Sequence, residues 1–131
     1  MTLLPSLAQA DANRLTEAIK NLIGDKPMEN GKIKLTLPQI AENGKSVPMG
    51  FEVESPMTDE NYVKSVHVLA DGNPRPDVAS FHFTPLSGRA KEKTRLRLAK
   101  TQNIVAVAEM NDGSVFVAKS PVTVTIGGCT G

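Results

Sequence analysis

The sequence predicts a mainly β fold, an antiparallel β-sandwich with one N-terminal α-helix and a flexible C-terminal tail. Three observations carry this. Short β-rich runs separated by turn residues fill the chain from residue 32 onward, no helical period interrupts them, and one amphipathic segment precedes them. At 131 residues the chain has the length of one domain. A chain of that size buries roughly two thirds of its unfolded surface, enough for a core without staples.

In the helix, Asp11 is the expected N-cap, and Leu15, Ala18, Ile19, Leu22 and Ile23 recur on one apolar face. Gly24 stands where a left-handed C-terminal cap belongs, with Pro27 just beyond. Strands are expected over 33–37, 47–54, 62–70, 78–83, 93–99, 103–110 and 114–126, the last broken by Pro121. Asn43-Gly44, Asp71-Gly72, Asn73-Pro74-Arg75-Pro76, Ser87-Gly88 and Asn111-Asp112-Gly113 separate them, and the last of these is the strongest hairpin signal. About seven strands without intervening helices indicate an immunoglobulin-like sandwich. Ile104 to Ala108 is apolar at every position and Val115 to Ala118 nearly so, where a sandwich strand normally alternates. The outer face of this hairpin is therefore expected to be covered, in part by the helix and for the rest by a partner subunit.

The net charge of +1 and pI of about 7.9 give no reason to expect a nucleic-acid or membrane binder. No run approaches the ~20 apolar residues of a membrane helix. The single cysteine permits neither an internal disulfide nor a thiolate zinc site. Met1 to Leu7 has neither a basic nor a continuous apolar region, so it is not a secretory signal as it stands. The chain is either cytoplasmic or a mature form given an initiator Met.

That one thiol, Cys129, lies in Ile126-Gly127-Gly128-Cys129-Thr130-Gly131. The domain is expected to span 1–126, and residues 127–131 to form a mobile arm that holds the thiol in solvent. Extended chain of roughly 3.3–3.6 Å per residue gives Cys129 about 10 Å of reach from Ile126. Glycines around the thiol oppose the fixed base and oxyanion hole a cysteine hydrolase needs, so the chain is not expected to be an enzyme in its own right. An exposed thiol has a pKa near ~8.5 and is mostly protonated at neutral pH. His67 and His82 have no acidic or cysteine partner at metal-ligand spacing, so no metal or cofactor is expected, and both are read as facing solvent or a partner. Lys93, Arg95 and Arg97 alternate along one strand after Arg89 and Lys91, which reads as a solvated face or as a patch for an anionic ligand or acidic partner.

The ending Val124 to Gly131 resembles that of the SoxY family, the sulfur-carrying subunits of the SoxYZ carrier in bacterial thiosulfate oxidation. The resemblance extends upstream through 41–48, Asn73-Pro74-Arg75-Pro76, Phe81-His82-Phe83-Thr84-Pro85 and 101–110. Thr130 departs from the glycine usual there and, being β-branched, is stiffer. The resemblance implies a mature periplasmic chain whose export signal is absent from this sequence. It further implies a SoxZ subunit as partner, in a heterodimer or a larger assembly, that would complete the cover over the hairpin. Cys129 would be the covalent attachment point for sulfur, with Gly127, Gly128, Thr130 and Gly131 as the arm. A c-type cytochrome would conjugate thiosulfate to it, a hydrolase release sulfate, and a sulfur dehydrogenase oxidise the remainder. The alternative is a periplasmic sandwich adaptor whose thiol forms an intermolecular disulfide.

Overall fold

The apolar period near the N-terminus forms α1 (Leu7–Ile23), and the computed structural model describes residues 7–128 of the chain. The helix begins before its expected cap. Asp11 lies inside it and cannot cap its start; its carboxylate instead takes Arg14, three residues on, and Lys100 Nζ at 2.9 Å. The other end is as expected: Gly24 adopts a φ of 75° and donates its N–H to the Lys20 carbonyl at 2.8 Å.

Nine strands follow: β1 (Glu29–Asn30), β2 (Ile33–Thr36), β3 (Ile40–Ala41), β4 (Val47–Val53), β5 (Val63–Ala70), β6 (Asp77–His82), β7 (Ala90–Leu96), β8 (Gln102–Met110) and β9 (Val115–Val124). One sheet has the order β1-β9-β8-β5-β6, with β3 also paired to β9, and the second is β2-β4-β7. The mainly β sandwich with an N-terminal helix is thus the observed class. The long strands pair antiparallel, whereas the two-residue β1 and β3 run parallel to β9. β7 starts three residues earlier than expected and ends at Leu96, so Arg97 lies beyond it. Asp112 shapes the β8–β9 turn: its carboxylate accepts from the Ser114 N–H at 2.9 Å and hydroxyl at 2.6 Å.

β9 runs unbroken through Pro121, contrary to expectation, and the ladder gives the reason. Thr123 and Thr125 donate their N–H groups outward, to the Gln39 and Ala41 carbonyls at 2.9 and 3.1 Å. Pro121 is in the same phase, so its missing N–H would have pointed to the outer edge rather than into β8. Among the described residues no strand pairs with that edge between β1 and β3, where a proline also discourages foreign strands.

Between the sheets, Met49, Phe51 and Leu96 face Val66, Val68 and Ile104. The Phe51 ring meets those of Phe81 and Phe83 at 5.3 and 6.3 Å. On the outer face of the larger sheet, Leu69, Val105, Val107 and Val115 are covered by the apolar face of α1 through Leu15, Ala18, Ile19, Leu22 and Ile23. The helix therefore accounts for the doubly apolar β8. Since Leu69 is wholly buried in this second layer, Leu69→Ala is expected to lower stability in urea by about 2–5 kcal/mol. Leu86→Ala, at a side chain 98% exposed, should stay within about 0.5 kcal/mol of the parent. Equal midpoints for the two variants would contradict this layering.

Candidate functional site at the root of the C-terminal segment

After β9 the chain is led along residues 41–44. The Thr125 hydroxyl donates to the Glu42 carbonyl at 3.0 Å, and Gly44 donates its N–H to the Ile126 carbonyl at 2.7 Å. Gly128 then donates to the Leu98 carbonyl at 2.9 Å, while the Leu98 N–H donates to the Gly44 carbonyl at 2.8 Å. Three distant backbone segments meet at this point. A Cβ on Gly44 would overlap the Leu98 carbonyl oxygen, and one on Gly128 would stand 2.7 Å from the Gly44 oxygen. Glycine is required here by contact distance, not by a need for motion.

Of the expected arm of 127–131, the described residues are Gly127, which is exposed, and Gly128, which is bonded to Leu98. A Cβ on Gly127 would collide with the Ala99 carbonyl, and Gly128 is buried. Cys129, Thr130 and Gly131 lie outside the described residues.

The carbonyls that receive the tail belong to the 97–101 connection, and a buried amide pair holds that connection in place. Asn73, 5% exposed, donates through Nδ2 to the Arg97 carbonyl at 2.8 Å. Its Oδ1 accepts from the Ala99 N–H at 3.0 Å and from Gln102 Nε2 at 2.9 Å. Gln102 also donates to the Lys100 carbonyl at 2.9 Å and accepts from the Gly72 N–H at 2.7 Å. Lys100, through Asp11, ties the same connection to α1. In the sequence Asn73 reads only as part of a turn, and Gln102 stands just before the strand expected over 103–110. Their amides lie beside backbone groups that no strand ladder uses, a relation that only the fold reveals.

A second polar cluster lies on the outer face of the larger sheet. His67, expected to face solvent or a partner, is 5% exposed. The Glu109 carboxylate accepts from the Ser65 hydroxyl at 2.6 Å and from His67 Nε2 at 3.1 Å, and His67 Nδ1 lies 2.7 Å from the Ser80 hydroxyl. Burial raises the Glu109 pKa, but the Ser65 hydroxyl, the His67 ring and the Lys26 charge together outweigh it and hold the carboxyl below its ordinary 4.5. The cluster fastens β6, β5 and β8 to one another across the face. His82 is exposed, as expected. The cations of β7 lie elsewhere, on the outer face of the smaller sheet: Lys91, Lys93 and Arg95 share it, and Arg97 does not extend their row. Among the described residues no group of three or more His, Cys, Asp and Glu could hold a metal, and no helix is long and apolar enough to cross a membrane.

The family model of the sulfur oxidation protein SoxY matches residues 19–129. The chain belongs to the SoxY family. Among solved structures it is similar to the sulfur carrier protein SoxY from Chlorobium limicola f thiosulfatophilum, at 32% identity and a TM-score of 0.75 over 88% of this chain and 99% of that one. It is also similar to superoxide reductase (neelaredoxin) from Ignicoccus hospitalis, at 15% identity and a TM-score of 0.64, covering 72% of this chain and 80% of that one. Superoxide reductase from Nanoarchaeum equitans aligns at 10% identity with a TM-score of 0.58, covering 73% and 100%. The two reductases share the fold alone. No curated protein matches the chain. The SoxY match takes in Gly44, Asn73, Leu98, Gln102 and Gly128, so the whole clamp lies inside the family's domain.

Two outcomes are expected. Asn73→Ala strips partners from the Arg97 carbonyl and Ala99 N–H and should cost about 1–3 kcal/mol, with amide exchange at Gly128 accelerating more than exchange in β5. Unchanged protection at Gly128 would show that the amide pair does not position the tail. For Glu109, the folded pKa is depressed, so its stabilising contribution is present above pH 4.5 and fades as pH falls through the lowered value. In urea titrations the stability gap between the parent and Glu109→Gln should shrink steadily from about pH 6 to about pH 3; a gap independent of pH would overturn the assignment.

Proposed function

We propose that this chain is a covalent sulfur carrier of thiosulfate oxidation, with Cys129 as the attachment point and separate enzymes acting on its cargo. The observation that carries the reading is that the SoxY match extends to residue 129, so the sole cysteine of the chain is its last residue. Similarity to the sulfur carrier protein SoxY of Chlorobium over nearly that protein's whole length supports it.

In the first step the Cys129 thiol loses its proton and the sulfur forms a bond to the outer sulfur of thiosulfate. Two electrons leave to a c-type cytochrome, and the product is a thiosulfonate. Water then attacks the sulfonate sulfur, the sulfur–sulfur bond to that group breaks, and sulfate departs with a proton, leaving a persulfide on Cys129. A sulfur dehydrogenase oxidises the remaining sulfane sulfur. The chain works in the periplasm beside a SoxZ-type subunit. It supplies no base or cofactor for these steps.

The clamp sharpens this account. Gly128, the residue before Cys129 in the sequence, is bonded to Leu98 on the sandwich. An enzyme acting on the thiol must therefore bring its active site up against the carrier's own surface. Intact-mass analysis after incubation with thiosulfate and the purified thiosulfate-conjugating cytochrome alone should show one thiosulfate added to the parent, removed by dithiothreitol. Cys129→Ser should gain nothing while melting at the parent's temperature. An unmodified C-terminal peptide in the parent would refute the carrier reading, and a reducible homodimer without sulfur adducts would favour the adaptor.

A further inference from the structure

The outer face of the smaller sheet is set apart by charge. Register places Lys34, Glu52 and Lys91 in one row across β2, β4 and β7, then Thr36, Gly50 and Lys93, then Pro48 and Arg95. Arg89, just before β7, donates through Nε and Nη2 to Glu52 at 2.8 and 2.5 Å. Lys34, Arg89, Lys91, Lys93 and Arg95 thus share the face with Glu52, which Arg89 already occupies, and Glu54 lies beside Lys34, Glu52 and Arg89 at its end. Glu92 approaches the same groove from the opposite side of β7. The entire chain carries a net charge of only +1, so this face is far more cationic than the rest. Gly50 and Pro48 keep the middle of the face low, leaving an open groove of about 730 Å³.

The face also runs up to the clamp. Arg95 Nη1 donates to the Ser46 hydroxyl at 3.2 Å, two residues from Gly44. Leu98 follows Arg95 by three residues, about 10 Å of extended chain.

We propose that this cationic face is the docking surface for an acidic surface on the enzymes that act on Cys129, holding their active sites against the residue that follows Gly128. The proposal rests on the carrier reading. A small oxyanion is a poorer occupant. Alternate residues on a strand are spaced about 6.6 Å, so Lys91, Lys93 and Arg95 span about 13 Å and cannot converge on one ion. They are all exposed, and exposed ion pairs are individually weak. Spread along a strand, they match a row of carboxylates on another protein, where such charges raise the association rate and fix orientation. The nearest aromatic ring, Phe51, is buried on the other side of β4, so the face has no stacking platform for nucleic-acid bases.

The test uses the full chain, the triple variant Lys91→Glu/Lys93→Glu/Arg95→Glu and the milder triple Gln variant, each checked by thermal melting. The measured quantity is the initial rate of thiosulfate adduct formation on Cys129 by the purified thiosulfate-conjugating cytochrome, from about 20 mM to about 500 mM NaCl. At low salt the Glu variant should be slower by at least about tenfold and the Gln variant intermediate, the three rates converging at high salt. Alkylation of Cys129 by iodoacetamide should be equally fast in all three. Adducts forming at one rate in parent and variants would overturn the docking surface while leaving the carrier reading intact. No adduct in the parent would remove both. Inhibition by sulfate at an ionic strength where chloride has no effect would assign the face to a small oxyanion instead, and double-stranded DNA binding without any effect on adduct rate would assign it to nucleic acid; either result overturns the proposal.

Discussion

The path of the chain after β9 depends on one close approach, the meeting of the Gly44, Leu98 and Gly128 backbones through hydrogen bonds of 2.8–2.9 Å. Each segment comes from a different connection: one leads into β4, one leaves β7, and one leaves β9. The first and last could not lie this near their neighbours if Gly44 or Gly128 carried a side chain. The contact holds the chain to the sandwich as far as Gly128. Two of the four buried polar residues among those described, Asn73 and Gln102, lie beside it. Asn73 and Gln102 together satisfy the Arg97, Lys100, Gly72 and Ala99 backbone groups that no ladder reaches. Leaving such groups unpaired in a buried place would cost a few kcal/mol, a sizeable share of a domain's total stability.

The two sheets finish their outer faces differently. The larger covers its face with α1, and where the apolar layer of Leu69, Val105 and Val107 gives way to polar residues, Ser65, His67, Ser80 and Glu109 bond to one another. No buried side-chain nitrogen or oxygen among the described residues lacks a partner. The smaller sheet leaves its face open, with a glycine and a proline at its middle and lysines and arginines along its edge strand. Inward burial with outward charge on β7 also protects that edge from pairing with another chain.

Much of the fold was legible in the sequence because alternation and turn chemistry are local. The strands from β4 to β9, the Gly24 cap and the Asn111-Asp112-Gly113 hairpin all announce themselves within a few residues. β1 and β3 do not, since two residues carry no period and their pairing is decided by β9. Pro121 misled because a proline's effect depends on which way its absent N–H would point, and only the ladder tells. His67, between two valines, gave no sign of burial on its own. The available signal was Glu109, a carboxylate that follows Val105 and Val107 on the outward side of its strand. The candidate site was legible in its residues but not in its mechanics: Gly44 reads as a turn and Gly128 as a hinge, yet both are glycine because another backbone passes too close for a Cβ.

On the carrier reading, this difference changes how the thiol must work. A long loose arm would let the cargo find a deep active site by diffusion, at the cost of ordering the arm on every visit; fixing a residue costs about 1–2 kcal/mol. Order that extends through Gly128 removes part of that cost beforehand. Recognition then falls on the surfaces surrounding the clamp, and specificity becomes a matter of which enzymes can lie flat against them. Several enzymes would use the same face in turn, so each contact has to be weak enough to release. Exposed lysines and arginines meet that demand better than an apolar patch would, because water competes for them at every step and their attraction acts before contact is made.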